Sequence, residues 1–424
     1  MKKKKTLLDF IRMGRYDDVV TALETASQDD INEFGQTPLM IAIHATPQKD
    51  SDKIFKAILD WTRDVNKKDV DGYSAFSHAV SLRRVNYIDK LLQRDVDVNV
   101  PCFITVAPHH RAYEAYERDM STKKRAVYPR CSSQKISPLC AVIYKSYDYF
   151  VPSLVEKGAN LDAIGGLDIT ALSMAIRSDK LDIVQYLLDR GANPNVVPKN
   201  WKTYAKSEDE VCPVALKKAL KYGCGASISL LLKAGSRLPK RFLRRDDFYS
   251  TPLTYLFSQP KEQLSEPYYC LRKLQKRIDV ASCDSDNRSA LSYAIENNFD
   301  DYLIASLMHE KINNLADRFF CTPMIYAWIN RDTKVMKLLY DAGVPMASNA
   351  YEPTGQTLLM MSLEKKDYQM VSFLMQHSPM LLNKDKEGRS VLSYIDETVP
   401  FYKEISEGYA LQQKKMQQYL QRNK

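Results

Sequence analysis

Lysine and arginine residues are concentrated in the middle of this 424-residue chain. Residues 197–245 contain 12 of them against three acidic residues, and this net charge of +9 equals the formal net charge of the whole chain. Residues 101–135 add seven basic residues against three acidic ones. Aromatic side chains lie among both sets of charges, and aromatic and arginine side chains are the usual anchors of a protein interface. The pattern therefore indicates ionic and aromatic contacts with a partner.

Twelve aromatic and basic residues of these two stretches are the candidate partner-binding residues: Tyr113, Tyr116, Arg125, Tyr128, Trp201, Lys202, Tyr204, Lys240, Arg241, Phe242, Arg244 and Arg245. An acidic protein is the favoured partner. A solvated basic surface without a dedicated partner and a nucleic-acid partner both stay open. Nucleic acid is less favoured because the charge is concentrated in one region and no recognised nucleic-acid-binding module occurs.

The sequence motifs that are typical of enzymes do not occur in this chain. It has no G-x-x-x-x-G-K-[ST] phosphate loop, no G-x-G-x-x-G, no H-E-x-x-H and no G-x-S-x-G. Only His109 and His110 are adjacent among the six histidines, and their spacing from Cys102 and Cys131 fits no familiar zinc pattern. We therefore predict no catalytic residue, no metal ligand and no cofactor.

The eight cysteines and the chain start bear on the cellular compartment. No two cysteines form a C-x-x-C pair, and several take small or apolar positions, so reduced core thiols in a cytoplasmic protein are predicted. No apolar run approaches the roughly 18–20 residues that a membrane span requires. The lysines at positions 2–5 resemble the head of a signal peptide, but the apolar run after them is too short and too charged. Export by a route that cleaves no signal stays open.

The elements that position the candidate residues repeat along the chain. Nine segments share one pattern, in which a hydroxyl residue, often a proline and an apolar residue are followed three positions later by a small residue. They begin at Thr37, Ser74, Ser137, Thr170, Thr251, Ser289, Thr322, Thr357 and Ser390. Three of the steps between them are 33 residues long. A fixed period near 33 residues predicts a two-helix unit that is copied and stacked.

The residues of one copy predict how its helices begin and end. Thr37 is placed to cap a helix whose first turn contains Pro38, a residue that suits this turn because its missing N–H would lack a helical partner anyway. In the fourth of these segments, Gly191 stands where a left-handed residue terminates the second helix. The same place is taken by Gly158, Gly235, Gly343 and, in the second segment, Asp95.

These segments strongly resemble the ankyrin-repeat family, whose unit is a turn plus two antiparallel helices with a Thr-Pro-Leu-His-x-Ala signature. The best matches are Thr37-Pro38-Leu39, Ser137-Pro138-Leu139, Thr251-Pro252-Leu253 and Thr322-Pro323-Met324. The resemblance covers roughly residues 6–400. It implies an all-α ankyrin-repeat solenoid of about ten helix-turn-helix units, with atypical caps and with insertions in its finger loops.

One departure from the family pattern concerns the signature histidine. The residues that replace it are Met40, Ser77, Cys140, Ser173, Thr254, Ser292, Ile325, Met360 and Ser393. The hydrogen bonds that this histidine usually makes between neighbouring units are therefore in doubt.

The spacing of the segments divides the chain into three parts. Residues 1–34 are predicted to form a capping helix pair without the capping signature, residues 35–398 the repeat array, and residues 399–424 a closing helix or tail. Insertions fall at about 101–135, 197–211 and 238–249, each between a second helix and the next capping hydroxyl. In the ankyrin fold this place is the finger at the edge of the concave groove. For 101–135 a partly ordered loop is preferred over a decayed repeat.

Together these features predict a non-enzymatic scaffold. We expect a cytoplasmic monomer that binds a protein partner, acidic in character, through its concave groove and its basic finger loops. Two other functions stay open. One is a bacterial or viral effector or inhibitor that occludes a target enzyme, and the other is a nucleic-acid-associated scaffold.

Overall fold

The computed structural model describes residues 5–105, 133–165, 168–203, 211–243, 248–346, 351, 353–377 and 380–422, and the regular secondary structure of these residues is mostly helical with few strands. Ten helix pairs follow one another in this part of the chain. Their helices are α1 (Leu7–Met13), α2 (Tyr16–Leu23), α3 (Pro38–His44), α4 (Ser51–Trp61), α5 (Ala75–Ser81), α6 (Val85–Leu92), α7 (Pro138–Tyr144), α8 (Val151–Glu156), α9 (Ala171–Arg177), α10 (Leu181–Asp189), α11 (Val214–Tyr222), α12 (Gly225–Lys233), α13 (Pro252–Phe257), α14 (Pro267–Leu274), α15 (Ala290–Glu296), α16 (Asp301–Leu307), α17 (Pro323–Ile329), α18 (Thr333–Asp341), α19 (Leu358–Glu364) and α20 (Tyr368–Met375). A last helix, α21, covers Tyr402–Arg422.

The chain forms two compact units. The first unit comprises Met1–Trp201, Pro213–Lys218 and Leu230–Arg237, and the second comprises Lys202–Cys212, Ala219–Ser229 and Leu238–Lys424. Within the first unit, α1, α3, α5, α7 and α9 pack side by side in chain order, and within the second unit α13, α15 and α17 do the same. Each unit therefore has the stacked helix pairs of an all-α repeat solenoid.

Hydroxyl side chains start the first helix of most units. Eight of the nine predicted capping residues, from Thr37 to Thr357, accept a hydrogen bond from the backbone N–H three positions later. Ser390 is the exception, since it makes no such bond and precedes only the 3₁₀ turn Val391–Tyr394. The first helix pair does have a cap, which sequence reasoning missed: Thr6 and Asp9 form a reciprocal capping box.

Small hydroxyl residues stand at several positions of the absent signature histidine, and they bond within their own unit. Three of them accept a hydrogen bond from the backbone N–H of the capping residue: Ser77, Ser173 and Thr254. Bonds between neighbouring units come from other side chains. Arg84 Nε donates to the carbonyl oxygen of Ile43 at 3.1 Å, and Asn297 Nδ2 donates to that of Phe257 at 2.8 Å. These carbonyls end the first helix of the preceding unit, where the helix leaves them unpaired.

Glycines with positive φ end second helices, as predicted, at Gly158, Gly191, Gly235 and Gly343, where φ is 79–87°. The prediction for Asp95 is wrong, because Asp95 is not among the residues with positive φ. After Gly191 the backbone N–H of Ala192 reaches back to the Leu187 oxygen, whereas the N–H of Val96 donates to Arg94 at 3.0 Å. The second segment therefore turns more tightly and needs no left-handed residue.

The two ends of the first insertion pair with each other as antiparallel strands. Strand β1 (Cys102–Thr105) pairs antiparallel with β2 (Ser133–Ile136), with Cys102 opposite Ile136. Helices α5 and α7, on either side of this segment, pack directly against each other. This contact favours a loop over a decayed repeat between them. The insertion at 238–249 contains a second hairpin, β3 (Phe242–Leu243) with β4 (Tyr249–Ser250).

Two substitutions test the geometry at the ends of the second helices by urea unfolding. We expect Gly191→Val to destabilise by more than about 1 kcal/mol, since the left-handed conformation strains a branched residue even though a Cβ there meets no atom within 4 Å. Asp95→Gly is expected to destabilise by roughly 0.5–1 kcal/mol, because glycine adds only unfolded-state entropy there. A stabilising Asp95→Gly would contradict the turn described above.

A loop replacement tests whether the first insertion supports the fold. Joining Thr105 to Ser133 through Asn-Gly is expected to leave thermal unfolding almost unchanged, because the paired strands accept a two-residue turn and long loops cost little entropy. Removing 103–133 instead deletes the buried ring of Phe103, which lies 5.3 Å from that of Tyr73, and should destabilise by roughly 3 kcal/mol or more. Equal losses in both variants would show that residues 106–132 pack into the array.

Candidate functional site

An aspartate holds the turn of several fingers and joins it to the helix that follows. Asp317 Oδ1 accepts the backbone N–H groups of Phe319 at 2.8 Å and Cys321 at 3.0 Å, while its Oδ2 accepts the Tyr326 hydroxyl at 2.5 Å. Burial, followed by this bond to Asp317, raises the pKa of Tyr326 well above its usual value. Residues nine positions apart make the same ring contact in three other fingers: Asp69 with His78, Asp284 with Tyr293, and Asp385 with Tyr394.

Three neighbouring fingers of the second unit are joined by backbone hydrogen bonds. The N–H of Ser285 donates to the Tyr249 oxygen at 3.0 Å, and the N–H of Arg318 donates to the Asp286 oxygen at 2.8 Å. We call the described residues of 240–250, 284–288 and 317–321 the finger row. Its members are fixed relative to one another, so it presents one continuous edge.

Cations and aromatic rings alternate along the finger row. The Arg241 guanidinium lies 4.9 Å from the centre of the Tyr249 ring, and that of Arg318 lies 5.1 Å from the Phe319 ring. Arg318 also pairs with Asp286 at 2.8 Å. Contacts of this type contribute about 0.5–1 kcal/mol each at exposed sites and more once a partner excludes water. The row therefore combines the two residue types that dominate protein interfaces.

Arg288 is packed behind the edge of the finger row. Its guanidinium lies between the rings of Tyr293 and Tyr326, 4.1 and 4.4 Å from their centres, and its side chain is 11% exposed. It also forms an ion pair with Glu296. Burial raises the pKa of the neighbouring Asp284 carboxyl, which hydrogen bonds partly offset. This stack supports the row from the side of the first helices.

Five of the twelve predicted binding residues lie in the described part of the chain. Lys240 and Arg241 are exposed on the finger row. Phe242 does not share this exposure: it is fully buried and packs 5.5 Å from the Tyr255 ring, which removes it from the surface a partner can touch. Trp201, in the first unit, is half-buried, and Lys202, in the second, is exposed. Seven lie outside the described residues: Tyr113, Tyr116, Arg125, Tyr128, Tyr204, Arg244 and Arg245.

The residues with metal-binding or redox chemistry do not assemble into a site within the described ranges. Among the cysteines described there, burial raises the pKa of Cys102 to about 12 and that of Cys140 to about 11. These two thiols are therefore protonated at neutral pH and unreactive. No group of three or more potential metal ligands forms among the described residues, and His109 and His110 lie outside them. In that same part of the chain, every helix is too short or too polar to cross a bilayer.

One comparison with known protein families identifies a repeat within this fold. The family model for the ankyrin repeat matches residues 168–199, the stretch that contains α9 and α10. Most other helix pairs of the described chain are similar to this matched pair in their order and in the capping of their first helices. No curated protein matches the sequence. A crystal structure of an ankyrin repeat domain from Acinetobacter baumannii AYE is similar at 20% identity over 55% of this chain and 98% of that one, with a TM-score of 0.38.

A histidine pair in the first unit, with His78 buried and His44 half-buried, forms a titratable network. His44 Nε2 and His78 Nδ1 are 3.0 Å apart, and His78 Nε2 lies 2.8 Å from Asp69 Oδ2. Burial and the neighbouring His78 lower the pKa of His44 to about 3, although Asp69 opposes this effect. The folded state therefore keeps His44 neutral, and this network connects α3, α5 and the finger of Asp69.

The lowered pKa of His44 predicts acid-sensitive stability. The unfolded state gains a proton below about pH 6.5, whereas folded His44 does not, so stability falls by up to about 2 kcal/mol between pH 6.5 and 5. The pKa of Asp69 is also lowered, but its contribution is lost only below that window. We expect urea unfolding of His44→Gln at pH 7 and 5 to show less than half of the wild-type loss.

His309→Gln, in the second unit, is the matched control and should retain the wild-type loss. If His44→Gln loses as much stability as the wild-type chain between pH 7 and 5, another group carries the acid sensitivity.

Proposed function

We propose that this chain is a non-enzymatic scaffold that binds an acidic protein partner through the finger row and the adjoining surface of the first helices. Ankyrin repeats generally mediate protein–protein interactions. The observation that carries the proposal is the finger row, where exposed Lys240 and Arg241 at one end and the exposed rings of Phe319 and Phe320 at the other lie on fingers that hydrogen-bond to each other. We further propose that the chain acts as a cytoplasmic monomer.

The mechanism is the presentation of a preformed surface. The carboxylates of Asp284 and Asp317 hold their fingers in place before any partner arrives. A surface that is already ordered loses little conformational entropy on association, which leaves more of the contact energy for affinity. The exposed cations of the row attract an acidic partner and raise its association rate.

A nucleic-acid partner is the second candidate, because residues 197–245 carry a net charge of +9. Salt separates the two candidates. Binding that depends on phosphate contacts falls by orders of magnitude between about 50 and 200 mM salt. A protein interface with aromatic anchors loses far less. An effector or inhibitor that occludes a target enzyme would use the same surface and is distinguished by the identity of the partner.

Charge reversal on the finger row tests the proposal. We expect the double variant Lys240→Glu, Arg241→Glu to reduce recovery of the partner by at least about tenfold, because the charges that face an acidic surface then repel it. Its circular dichroism should be unchanged, since both side chains are exposed. The measurement is affinity purification with quantitative mass spectrometry at 50 and 200 mM salt.

The matched control is Lys414→Glu, Lys415→Glu, a reversal of the same size on the exposed surface of α21. It should leave recovery unchanged. Equal recovery from wild type and from the Lys240, Arg241 variant would reject this surface. Recovery of nucleic acid in place of protein at 50 mM salt, lost at 200 mM, would favour the second candidate.

A further inference from the structure

The third finger of the row ends in two exposed phenylalanines. The side chains of Phe319 and Phe320 are 51% and 44% exposed. Polar or small residues stand at the tip of most other fingers, as Asp286 and Asn287 do in the neighbouring one. Two adjacent aromatic rings in water bury little surface within the chain, so they contribute little to its folding. Their presence points to a contact outside the chain.

The backbone at Phe320 strengthens this argument. Phe320 has a φ of 61°, in the left-handed region that a bulky side chain rarely adopts. Its N–H donates to the backbone oxygen of Asp317 at 2.9 Å, and the corresponding residues make the same bond in four other fingers. Those residues are Gly35, Gly72, Asn287 and Gly388, which take the left-handed conformation more readily. The chain therefore keeps a strained phenylalanine where glycine forms the same turn without strain, and strain of this kind clusters at binding sites.

The electrostatic surroundings of the tip decide which kind of partner fits it. The charge of Arg318, the cation next to the two rings, is balanced by Asp286 at 2.8 Å. The tip is therefore an apolar, electrically neutral protrusion at the end of a row whose other end, at Lys240 and Arg241, is basic. A neutral tip has no electrostatic attraction for anionic lipid headgroups. It does fit an apolar pocket on a protein whose acidic groups contact the basic end of the finger row.

We propose that Phe319 and Phe320 are the hydrophobic anchor of the finger row and insert into an apolar pocket on the protein partner. This inference rests on the proposed function, since it names the residues that dominate that interface. Rings that enter a desolvated pocket are typical binding hot spots, and their truncation weakens binding by about 30-fold or more. The basic end of the row then sets orientation and association rate, while the tip sets the lifetime of the complex.

The test begins by identifying the partner at the tip itself. The full chain is expressed with the photo-crosslinking residue p-benzoylphenylalanine in place of Phe319, and the crosslinked protein is identified by mass spectrometry and purified. Isothermal titration calorimetry then compares its affinity for wild type, Phe320→Gly, Phe319→Ala and the control Asn287→Gly. The control relieves a left-handed residue in the neighbouring finger and leaves both rings in place, while it removes the 2.9 Å hydrogen bond from Asn287 Nδ2 to the Ala316 oxygen.

We expect Phe320→Gly to raise the melting temperature and yet to weaken binding by at least about 30-fold. Phe319→Ala should weaken binding similarly, and Asn287→Gly should leave the affinity within about twofold of wild type. If both tip variants bind the partner like wild type, the anchor is rejected while the proposed function stands. If no protein binds the wild-type chain, both proposals fail. Binding of wild type to phosphatidylcholine–phosphatidylserine vesicles that is lost in the tip variants would assign the tip to a membrane and overturn the inference.

Discussion

The carboxylates at the base of the second and third turns of the finger row are the contacts on which the candidate surface depends. One oxygen of Asp317 accepts two backbone N–H groups of the turn, and the other accepts the hydroxyl of Tyr326 on the next first helix. Asp284 and Tyr293 repeat this arrangement one unit earlier, and Arg288 stacks between the two tyrosine rings. The two finger turns, the two tyrosine rings and the Arg288 guanidinium therefore belong to one network of contacts. The hydrogen bonds from Tyr293 and Tyr326 tie each of these two turns to the helix that follows it.

Local chemistry explains how much of the fold the sequence could predict. A helix cap and a left-handed glycine are determined by a few residues that are adjacent in the sequence. The starts of the first helices and the turns at Gly158, Gly191, Gly235 and Gly343 could therefore be predicted. The prediction for Asp95 is wrong because equal spacing in the sequence does not impose the same turn. Its segment closes with a tighter bond between Val96 and Arg94. The ring contacts of the finger aspartates were missed, although an aspartate five positions before the capping residue and an aromatic residue four after it were visible signals.

The candidate site was only partly predictable, because composition locates charge but not side-chain direction. The excess of basic residues singled out Lys240 and Arg241 as binding residues; both are exposed, and their role in binding stays a prediction. It also singled out Phe242, whose ring is buried although the preceding Arg241 is exposed, because successive side chains of an extended chain alternate in direction. Phe319 and Phe320 were not among the candidate residues because their finger has the regular length, whereas all twelve candidates lie in or near the long insertions. The signal that could have found them was a phenylalanine at a glycine position of the turn.

A positive φ is not by itself a mark of function in this chain. The turn between the two helices of a unit also uses non-glycine residues in the left-handed region, including Arg83, Arg331 and Lys366. Their side chains are polar and are stabilised by water or by an ion pair, as Arg331 is by Asp367 at 3.0 Å. Phe401 also has a positive φ, but its ring is half-buried and packing offsets the strain. Phe320 has neither compensation, since its apolar ring is exposed and its turn needs no side chain. The combination of strain with exposed apolar surface, rather than strain alone, therefore separates a binding residue from an ordinary turn residue in a repeat that tolerates strain at many positions.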